Sequence, residues 1–264
     1  MLRTIMLAAA LAFTTAAAPP ESPPPGSRVE LWRIDCGNFG AKQLVNSCYL
    51  IRHGRRLMIW DAGFAGDWVG KPPSPETRSV TVPTSLVSQL ARLGITPDQI
   101  DIVAVSHLHW DHIGQAASFP RARLLIGKED WEALTAPRPD SRLEPGCLAP
   151  WIKGGAPMEA VAGDKDVFGD GSVMMIATPG HTLGHHSLLV RLPHFGPVML
   201  SGDLYYSADQ YREKLVSKGN ADPVQTAASF RRFDDLAKAE KATVVIQHEP
   251  GDVAKLPIFP RAAD

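Results

Sequence analysis

Four side chains that can bind a metal ion occur within six consecutive positions: His107, His109, Asp111 and His112. They follow residues 102–105, an apolar run rich in β-branched side chains that is typical of a buried strand. On an extended backbone, side chains two positions apart point the same way, so the first two histidines can share one cation. The other two come where the chain turns into a helix, and they can face a second cation. Imidazole and carboxylate are ligands of catalytic zinc, so the segment predicts a catalytic metal site.

This HxHxDH pattern after a strand resembles the signature of the metallo-β-lactamase superfamily. Three later segments resemble the superfamily's other metal motifs: residues 178–185 (Thr-Pro-Gly-His-Thr-Leu-Gly-His), 201–203 (Ser-Gly-Asp) and 247–248 (Gln-His). The resemblance covers nearly the whole chain from Arg28 onward. It implies an α+β fold, the four-layer αββα sandwich, and a metal-dependent hydrolase.

The same resemblance implies which side chains would bind the metals. It assigns His107, His109 and His181 to the first metal, Asp111, His112 and His248 to the second, and Asp203 to both. Each of the later ligands falls at or just beyond the end of a predicted strand, so two independent lines of reasoning agree. The expected cofactor is two Zn²⁺ per chain, with iron, cobalt or manganese as alternatives because imidazole-rich sites also take these metals.

The elements that must position these residues follow from hydrophobic periodicity and turn signals. Strands are predicted at residues 28–35, 47–52, 56–60, 102–105, 123–126, 173–177, 187–192, 198–200 and 243–247. Helices are predicted at residues 84–93, 128–134 and 222–241, and residues 137–165 read as irregular. Groups of strands separated by helices suggest two packed sheets with helices outside, forming one hydrolase domain over residues 28–264.

The first residues read as a targeting signal rather than as part of the fold. Arg3 precedes an apolar run at residues 5–13 that is too short to span a bilayer, and small residues follow at 14–18. We expect a signal peptide at residues 1–18 and a proline-rich linker at residues 19–27. This predicts a periplasmic or secreted protein without a stable membrane anchor.

The charge balance limits the class of partner. The formal net charge of −1 provides no overall field that would attract DNA, RNA or an anionic membrane. We therefore expect a small-molecule ester or lactone as substrate and no nucleic acid. The sequence leaves a homodimer open.

Three cysteines occur, at positions 36, 48 and 147. In an oxidising compartment one disulfide can form, and the odd number leaves at least one thiol. The sequence does not decide the pairing, because Cys36 and Cys48 read equally well as small buried residues within strands.

Other histidines and one aspartate are candidates for supporting roles. Asp61 resembles the superfamily's aspartate that orients the metal-binding loop. One of His185 and His186 is expected to hydrogen-bond a ligand, although a packing role fits equally. His53, in a predicted hairpin turn, and His194, in a loop, are expected to be solvated.

Within the superfamily, the sequence most resembles the N-acyl homoserine lactonases. The similar segments are residues 96–103, 106–114, 119–122 and 128–132. β-Lactamases of this fold usually have cysteine or serine where this chain has Asp203, which argues against that activity. The lactonase resemblance implies that a metal-bridging hydroxide opens the lactone ring of an N-acyl homoserine lactone.

Two residues are assigned catalytic roles by this resemblance. Tyr206 would donate a hydrogen bond to the substrate carbonyl and support the oxyanion, although the adjacent Tyr205 could do this instead. Asp111 would carry a proton to the departing alkoxide. An apolar groove for the acyl chain is expected from Phe64, Trp68, Val69, Leu148 and Trp151.

Three other functions stay open at this level. An exported organophosphate or aryl-ester hydrolase would use the same pair of metals, and a β-lactamase ranks below it. From a different class, the chain could be an inactive ligand-binding member of the fold. The complete set of seven ligands argues against that last function.

Overall fold

The computed structural model describes residues 28–40, 44–74 and 79–264. The predicted signal peptide at residues 1–18 and the linker at residues 19–27 lie outside these residues. No helix in the described ranges combines the length and the apolar character needed to cross a membrane.

Two β-sheets make up the centre of the molecule. The first has six strands in the order β1 to β6: β1 (Val29–Phe39), β2 (Leu44–His53), β3 (Arg56–Trp60), β4 (Ile102–Ala104), β5 (Arg123–Gly127) and β6 (Met158–Val161). Strands β1, β2 and β3 pair antiparallel, whereas β3, β4, β5 and β6 pair parallel.

The second sheet has five strands in the order β11-β10-β9-β8-β7. Its strands are β7 (Lys165–Asp166), β8 (Val173–Ala177), β9 (His186–Leu192), β10 (Gly196–Leu200) and β11 (Thr243–Val245). Only the pairing of β10 with β11 is parallel. Both sheets were predicted from the sequence, and the two-sheet sandwich is confirmed.

The described residues form six α-helices: α1 (Leu86–Ala91), α2 (Trp110–Ile113), α3 (Lys128–Leu134), α4 (Ala149–Ile152), α5 (Ala208–Glu213) and α6 (Pro223–Glu240). Helix α6 agrees with the predicted helix at residues 222–241. It begins after Asp222, whose side chain caps the helix by accepting from the backbone N–H groups of Val224 and Gln225. At its end, Lys241 adopts a left-handed conformation with φ 53°. Helix α1 is shorter than predicted, since Ser85 accepts from Ser88 N–H and begins the helix there.

Alternating side chains build three apolar layers. In β9, Leu188 and Val190 face β2 and β3 between the sheets, and Leu189 faces outward toward α6. Phe230 and Phe233 of α6 pack on that outer face. A third cluster joins the first sheet to α1, α3 and α4. The order helix, sheet, sheet, helix is therefore the four-layer αββα sandwich expected from the sequence.

The prediction of irregular structure for residues 137–165 was wrong in part. This stretch contains α4 and the edge strand β6, which pairs only with β5. Both elements are four residues long. Such short segments carry too little periodicity to be recognised from the sequence, and the pairing with β5 is what defines the strand.

Cys36 of β1 and Cys48 of β2 form a disulfide, and Cys147 is free. The bridge lies against Gly63, in the turn that follows β3. Gly63 has φ +63°, and a Cβ atom there would come within 2.7 Å of the Cys36 Cβ. Only glycine fits between the disulfide and this turn.

Replacing both bridged cysteines with serine should lower the free energy of unfolding by about 3 kcal/mol, because the bridge closes a short loop in the unfolded chain. The sequence separation is 12 residues. For a chain of this size, the expected loss is roughly 6–12 °C in the midpoint of thermal unfolding. The matched control is Cys147→Ser, which should leave the midpoint unchanged. A double variant with the same midpoint of thermal unfolding as the wild type would show that the bridge does not stabilise the fold.

Candidate metal centre

Seven side chains from the ends of several strands meet in two clusters: His107, His109, His181 and Asp203 in the first, and Asp111, His112, Asp203 and His248 in the second. Within each cluster, the candidate ligand atoms all lie within 4.8 Å of one another. These are the seven residues expected from the sequence, and each falls in the cluster to which it was assigned. All but His109 are buried.

Local structure explains how one short segment contributes to both clusters. His107 and His109 lie on extended backbone after β4, and His109 has φ −71° and ψ 153° just before α2 begins. Asp111 and His112 lie inside α2, so the chain has turned by then and presents them to the other cluster. The change from extended chain to helix separates the two pairs.

Three imidazole nitrogens meet in the first cluster. His109 Nδ1 lies 2.9 Å from His107 Nε2 and 2.9 Å from His181 Nε2, and the latter two atoms are 3.2 Å apart. Burial holds the pKa of His107 well below its usual value and lowers that of His109 to about 3. The rings are therefore neutral, which is the form that binds a metal ion.

Asp203 belongs to both clusters. Its Oδ2 faces the first, 3.5 Å from His181 Nε2 and 3.8 Å from His107 Nε2. Its Oδ1 faces the second, 3.1 Å from His112 Nε2 and 3.0 Å from His248 Nε2. Although burial opposes ionisation, the neighbouring imidazoles of His248 and His112, whose own pKa values are raised, hold the pKa of Asp203 well below its usual range.

Asp111 completes the second cluster. Its Oδ2 lies 3.6 Å from His112 Nε2 and 3.7 Å from His248 Nε2. The side chain also borders an open cavity, so it is the acidic group of this cluster that a substrate could approach.

The donor set fits divalent metal. His112 Nε2, His248 Nε2 and Asp203 Oδ1 are buried, and although Asp203 Oδ1 lies 3.0–3.1 Å from the two nitrogens, none of the three atoms has a partner with hydrogen-bond geometry among the described residues. Such unpaired atoms are costly, and a cation between them would satisfy all three. In the first cluster, the spacing of 2.9–3.2 Å is close to the ~3.3 Å edge of a tetrahedron with zinc–nitrogen bonds of ~2.0–2.1 Å. The two clusters therefore form a site suited to divalent metal.

The second ring nitrogen of three of these histidines faces an oxygen atom. His112 Nδ1 lies 2.9 Å from Asp61 Oδ2, His248 Nδ1 lies 2.8 Å from the Val45 carbonyl, and His181 Nδ1 lies 3.2 Å from Asn220 Oδ1. A hydrogen bond of this kind fixes the ring and leaves Nε2 for the metal.

Asp61 also holds the chain that leads into the HxHxDH segment. Its Oδ1 accepts from the Ser106 backbone at 2.7 Å, and its Oδ2 accepts from the Ser106 hydroxyl at 2.9 Å. Together with the contact to His112, these bonds agree with the orienting role that the sequence suggested for Asp61.

His185 supports Asp203, whereas His186 has a packing role. His185 Nε2 accepts the Asp203 backbone N–H at 3.0 Å, and its Nδ1 lies 3.1 Å from the Thr178 carbonyl. Both nitrogens of His186 face backbone carbonyls, those of Gly184 and Gly163, away from the clusters.

The two remaining histidines differ in exposure. His194 is largely exposed, as expected. The expectation that His53 is solvated was wrong, because its ring stacks on Phe168 and its Nε2 lies 2.7 Å from Asp170 Oδ2. The loop that brings these two partners lies more than a hundred residues away in the chain, so local sequence gave no sign of the contact.

Sequence reasoning missed three buried polar groups around the site. Asp130 accepts hydrogen bonds from the backbone of Leu108 and of Gly184, in two loops of the site. Asn220 contacts His181. Asn46 donates to the Asp111 carbonyl at 2.7 Å and accepts from Gln247 at 3.0 Å. The available signal was polarity inside otherwise apolar elements, which shows a buried role but not the partner.

The structure separates the two adjacent tyrosines. Tyr205 is fully buried, stacks on Phe230 and donates to Asp234 at 3.2 Å, so it belongs to the packing against α6. Tyr206 lies at the site instead, with ring centroids 5.6 Å from His181 and 5.2 Å from His248. Tyr206 therefore spans both clusters.

A cavity of about 580 Å³ opens over the clusters. Its polar floor includes His109, Asp111, His181 and Tyr206. Its apolar wall is formed by Phe39, Leu108, Trp110, Ala133, Leu143, Leu183 and Ala221.

The sequence-based prediction of which residues form the acyl groove was wrong, since none of the five residues lines this cavity. Leu148 and Trp151 are buried in the core, where Trp151 donates to the Ala122 carbonyl. Phe64 is also fully buried, and Trp68 and Val69 pack around it behind Trp110. Apolar character alone does not distinguish a core residue from one that lines a cavity.

The sequence profile of the metallo-β-lactamase superfamily matches residues 41–248. The chain belongs to this superfamily. The matched region contains all seven residues of the two clusters.

Two curated relatives are N-acyl homoserine lactonases named AttM. The protein from Azorhizobium caulinodans is 31% identical over 251 residues, covering 84% of this chain and 89% of the relative. The protein from Rhizobium radiobacter is 36% identical over 170 residues, covering 62% of this chain and 64% of the relative. The match to the second thus spans less than two thirds of that protein's length.

A solved structure has the same fold. It is an N-acyl homoserine lactone hydrolase with the product N-hexanoyl-L-homoserine at its catalytic metal centre. The TM-score is 0.75 at 21% identity, and the alignment covers 89% of this chain and 99% of the other. This similarity shows that the chain and the solved structure share one fold.

Removing metal should destabilise this superfamily member, because chelation leaves the unpaired atoms of the second cluster without a partner. A ligand that binds only the folded state at 100 times its dissociation constant stabilises by about 2.7 kcal/mol. We therefore expect EDTA to lower the midpoint of thermal unfolding and added Zn²⁺ to restore it. Identical unfolding curves with and without chelator would contradict the metal site.

Proposed function

We propose that the protein is a dinuclear zinc hydrolase that opens the lactone ring of N-acyl homoserine lactones. The observation that carries the proposal is the arrangement around Asp203. Its two carboxylate oxygens face two separate clusters, and Tyr206 spans those clusters at the floor of a cavity with an apolar wall. The names of the AttM relatives point to the same reaction.

The two clusters differ in composition. The first offers three imidazoles and one carboxylate oxygen, and the second offers two imidazoles and two carboxylates. Zinc accepts both donor sets and has no strong geometric preference. When bound, two such cations would polarise the substrate carbonyl and lower the pKa of water enough to supply hydroxide near neutral pH.

Tyr206 is suited to donate a hydrogen bond to the developing oxyanion. Burial raises the pKa of its hydroxyl far above the usual value, and the carboxylates of Asp203 and Asp111 raise it further. The phenol is therefore protonated near neutral pH. A donor that is preorganised at the carbonyl oxygen stabilises the tetrahedral transition state more than the ground state.

Asp111 is suited to move the proton. Its carboxylate borders the cavity, while the other carboxylate of the site, Asp203, is almost fully buried. Ring opening breaks the bond between the carbonyl carbon and the ring oxygen, which leaves as an alkoxide and needs a proton. Asp111 would take that proton from the attacking water and deliver it to the alkoxide.

The cavity suits a neutral head group that carries an acyl chain. Its volume of about 580 Å³ is within the range of small-molecule sites. The polar floor would face the lactone, and Leu108, Trp110, Leu143 and Leu183 would contact the chain. The net charge of −1 also favours a neutral substrate.

We further propose that the protein works in the periplasm or outside the cell. The disulfide between Cys36 and Cys48 supports this, because such bonds persist in oxidising compartments. Cell fractionation checks the point: the proposal expects the protein in the periplasm or medium, and retention in the cytoplasm would refute it.

The decisive test is acid release, followed with a pH indicator, when the purified protein meets a medium-chain N-acyl homoserine lactone. We expect rapid ring opening that chelation abolishes and Zn²⁺ restores. A fully metallated protein that does not open the lactone would overturn the proposal. Phosphotriesters, aryl esters and β-lactams would then be assayed in that order, to test the alternatives that share the metal site.

Tyr206→Phe should reduce kcat by 10²- to 10³-fold, the usual loss when one oxyanion donor is removed. Its metal content should stay that of the wild type, because the hydroxyl is not a proposed ligand. Tyr205→Phe is the matched control, since it removes a hydroxyl that faces α6, and it should keep wild-type kcat. Loss of metal from Tyr206→Phe, or equal loss of rate in both variants, would refute the role given to Tyr206.

His109→Ala and Asp111→Asn should each abolish ring opening. The first removes a nitrogen that lies 2.9 Å from both other imidazoles of its cluster. The second replaces the acid of the second cluster that borders the cavity with an amide that cannot carry a proton. His194→Ala, at an exposed position, is the control and should keep full activity. Substantial turnover by either site variant would show that the chemistry does not need the pair of clusters.

A further inference from the structure

Asp130 is a buried carboxylate that the proposed reaction does not use. It lies in α3 and is only 1% exposed. Burying a carboxylate is costly unless several donors satisfy it. Burial raises the pKa of Asp130 to about 6, against the opposing effect of its hydrogen bonds. A charge held at this cost suggests a role beyond filling space.

Its three hydrogen bonds join the two loops that build the first cluster. Asp130 Oδ2 accepts from the Leu108 backbone N–H at 3.0 Å and from the Thr182 hydroxyl at 2.8 Å. Its Oδ1 accepts from the Gly184 backbone N–H at 2.9 Å. Leu108 lies between His107 and His109, and Thr182 directly follows His181.

The backbone is shaped to allow this contact. A Cβ atom on Gly184 would lie 2.6 Å from the Asp130 backbone nitrogen and 2.8 Å from its carboxylate. A side chain at position 184 would therefore push α3 away from the His181 loop. One backbone hydrogen bond, from His186 N–H to the Ser106 carbonyl at 2.8 Å, joins the same loops further from the ligand nitrogens.

We propose that Asp130 is a positioning residue that sets the separation between the His107–His109 segment and His181, and thereby the metal affinity of the first cluster. The proposal rests on the metal centre of the proposed function. Asp61 acts on the other side of the site: its carboxylate contacts His112 directly, and it also accepts from the Ser106 hydroxyl, which lies 3.0 Å from His107 Nδ1. Asp130 should therefore act on the first metal alone, whereas Asp61 should act on both.

The test measures zinc retained by the purified protein at graded concentrations of free Zn²⁺, set with a chelator. The wild type should lose its two equivalents in two steps, and His109→Ala identifies the step that belongs to the first cluster. We expect Asp130→Asn to weaken zinc binding at the first cluster, so that this step occurs at a free Zn²⁺ concentration roughly 10- to 100-fold higher than in the wild type. This is the usual effect of losing a partner that orients a ligand. The other step should stay at its wild-type concentration. Asp61→Asn should shift both steps, because Asp61 contacts His112 directly and His107 through Ser106.

Two further variants keep the test decisive. Glu132→Gln changes an exposed carboxylate of the same helix and should release zinc as the wild type does. Thr182→Val removes one of the three donors and keeps the carboxylate, so it should shift the same step by a smaller factor. This variant tests the proposal even if Asp130→Asn does not fold. Circular dichroism before and after chelation confirms that each variant is folded.

The outcomes separate this proposal from the proposed function. An equal shift of both steps in Asp130→Asn, or no shift in Asp130→Asn and Thr182→Val, would overturn the positioning role while ring opening by the wild type still stands. A wild type that binds zinc in two steps without opening any lactone would overturn the substrate and leave the positioning role intact. A wild type that binds no zinc would overturn both.

Discussion

A buried carboxylate shared by two sets of imidazoles, Asp203, joins the halves of the site. One of its oxygens faces His107 and His181, and the other faces His112 and His248. A charge in this position is stable only if cations or strong donors surround it. The clusters therefore depend on one another, because moving Asp203 toward either one takes an oxygen from the other.

The rest of the sandwich holds these few atoms in place. Its parallel strand pairs bring the carboxyl ends of strands to the site, where His107 follows β4 and His248 follows β11. Buried groups behind the ligands then fix each ring or loop: Asp61 on His112, His185 on the Asp203 backbone, and Asp130 on the two loops of the first cluster. This preorganisation lowers the cost of assembling the site when metal binds.

The cavity over the clusters has a polar part and an apolar part. Tyr206 and Asp111 border it from the polar floor, and residues such as Leu143 and Leu183 form the apolar wall. Tyr206 is held by its backbone, since its N–H donates to Gln210 at 2.6 Å. Tyr205, one position earlier, points into the packing of α6. A shift by one residue thus separates a tyrosine in the packing from one that contacts both clusters.

The sequence by itself determined most of the fold and the set of residues that meet at the site. Some strands and helices, such as α3 and β8, were predicted to their ends, because local propensity and side-chain alternation decide them. The seven cluster residues were predicted from the resemblance of four short motifs to those of the metallo-β-lactamase superfamily. Each motif lies within a few neighbouring positions, so it can be recognised without the tertiary structure.

Only the tertiary structure decided which distant residues touch. It paired Cys36 with Cys48, placed Phe64 and Trp151 in the core instead of the substrate cavity, and gave His53 a partner from a remote loop. It also gave Asp130 its three donors. Burial follows from apolar composition, but the choice between core and cavity wall depends on how separate elements pack. That packing is a property of the whole chain and is not encoded at any one position.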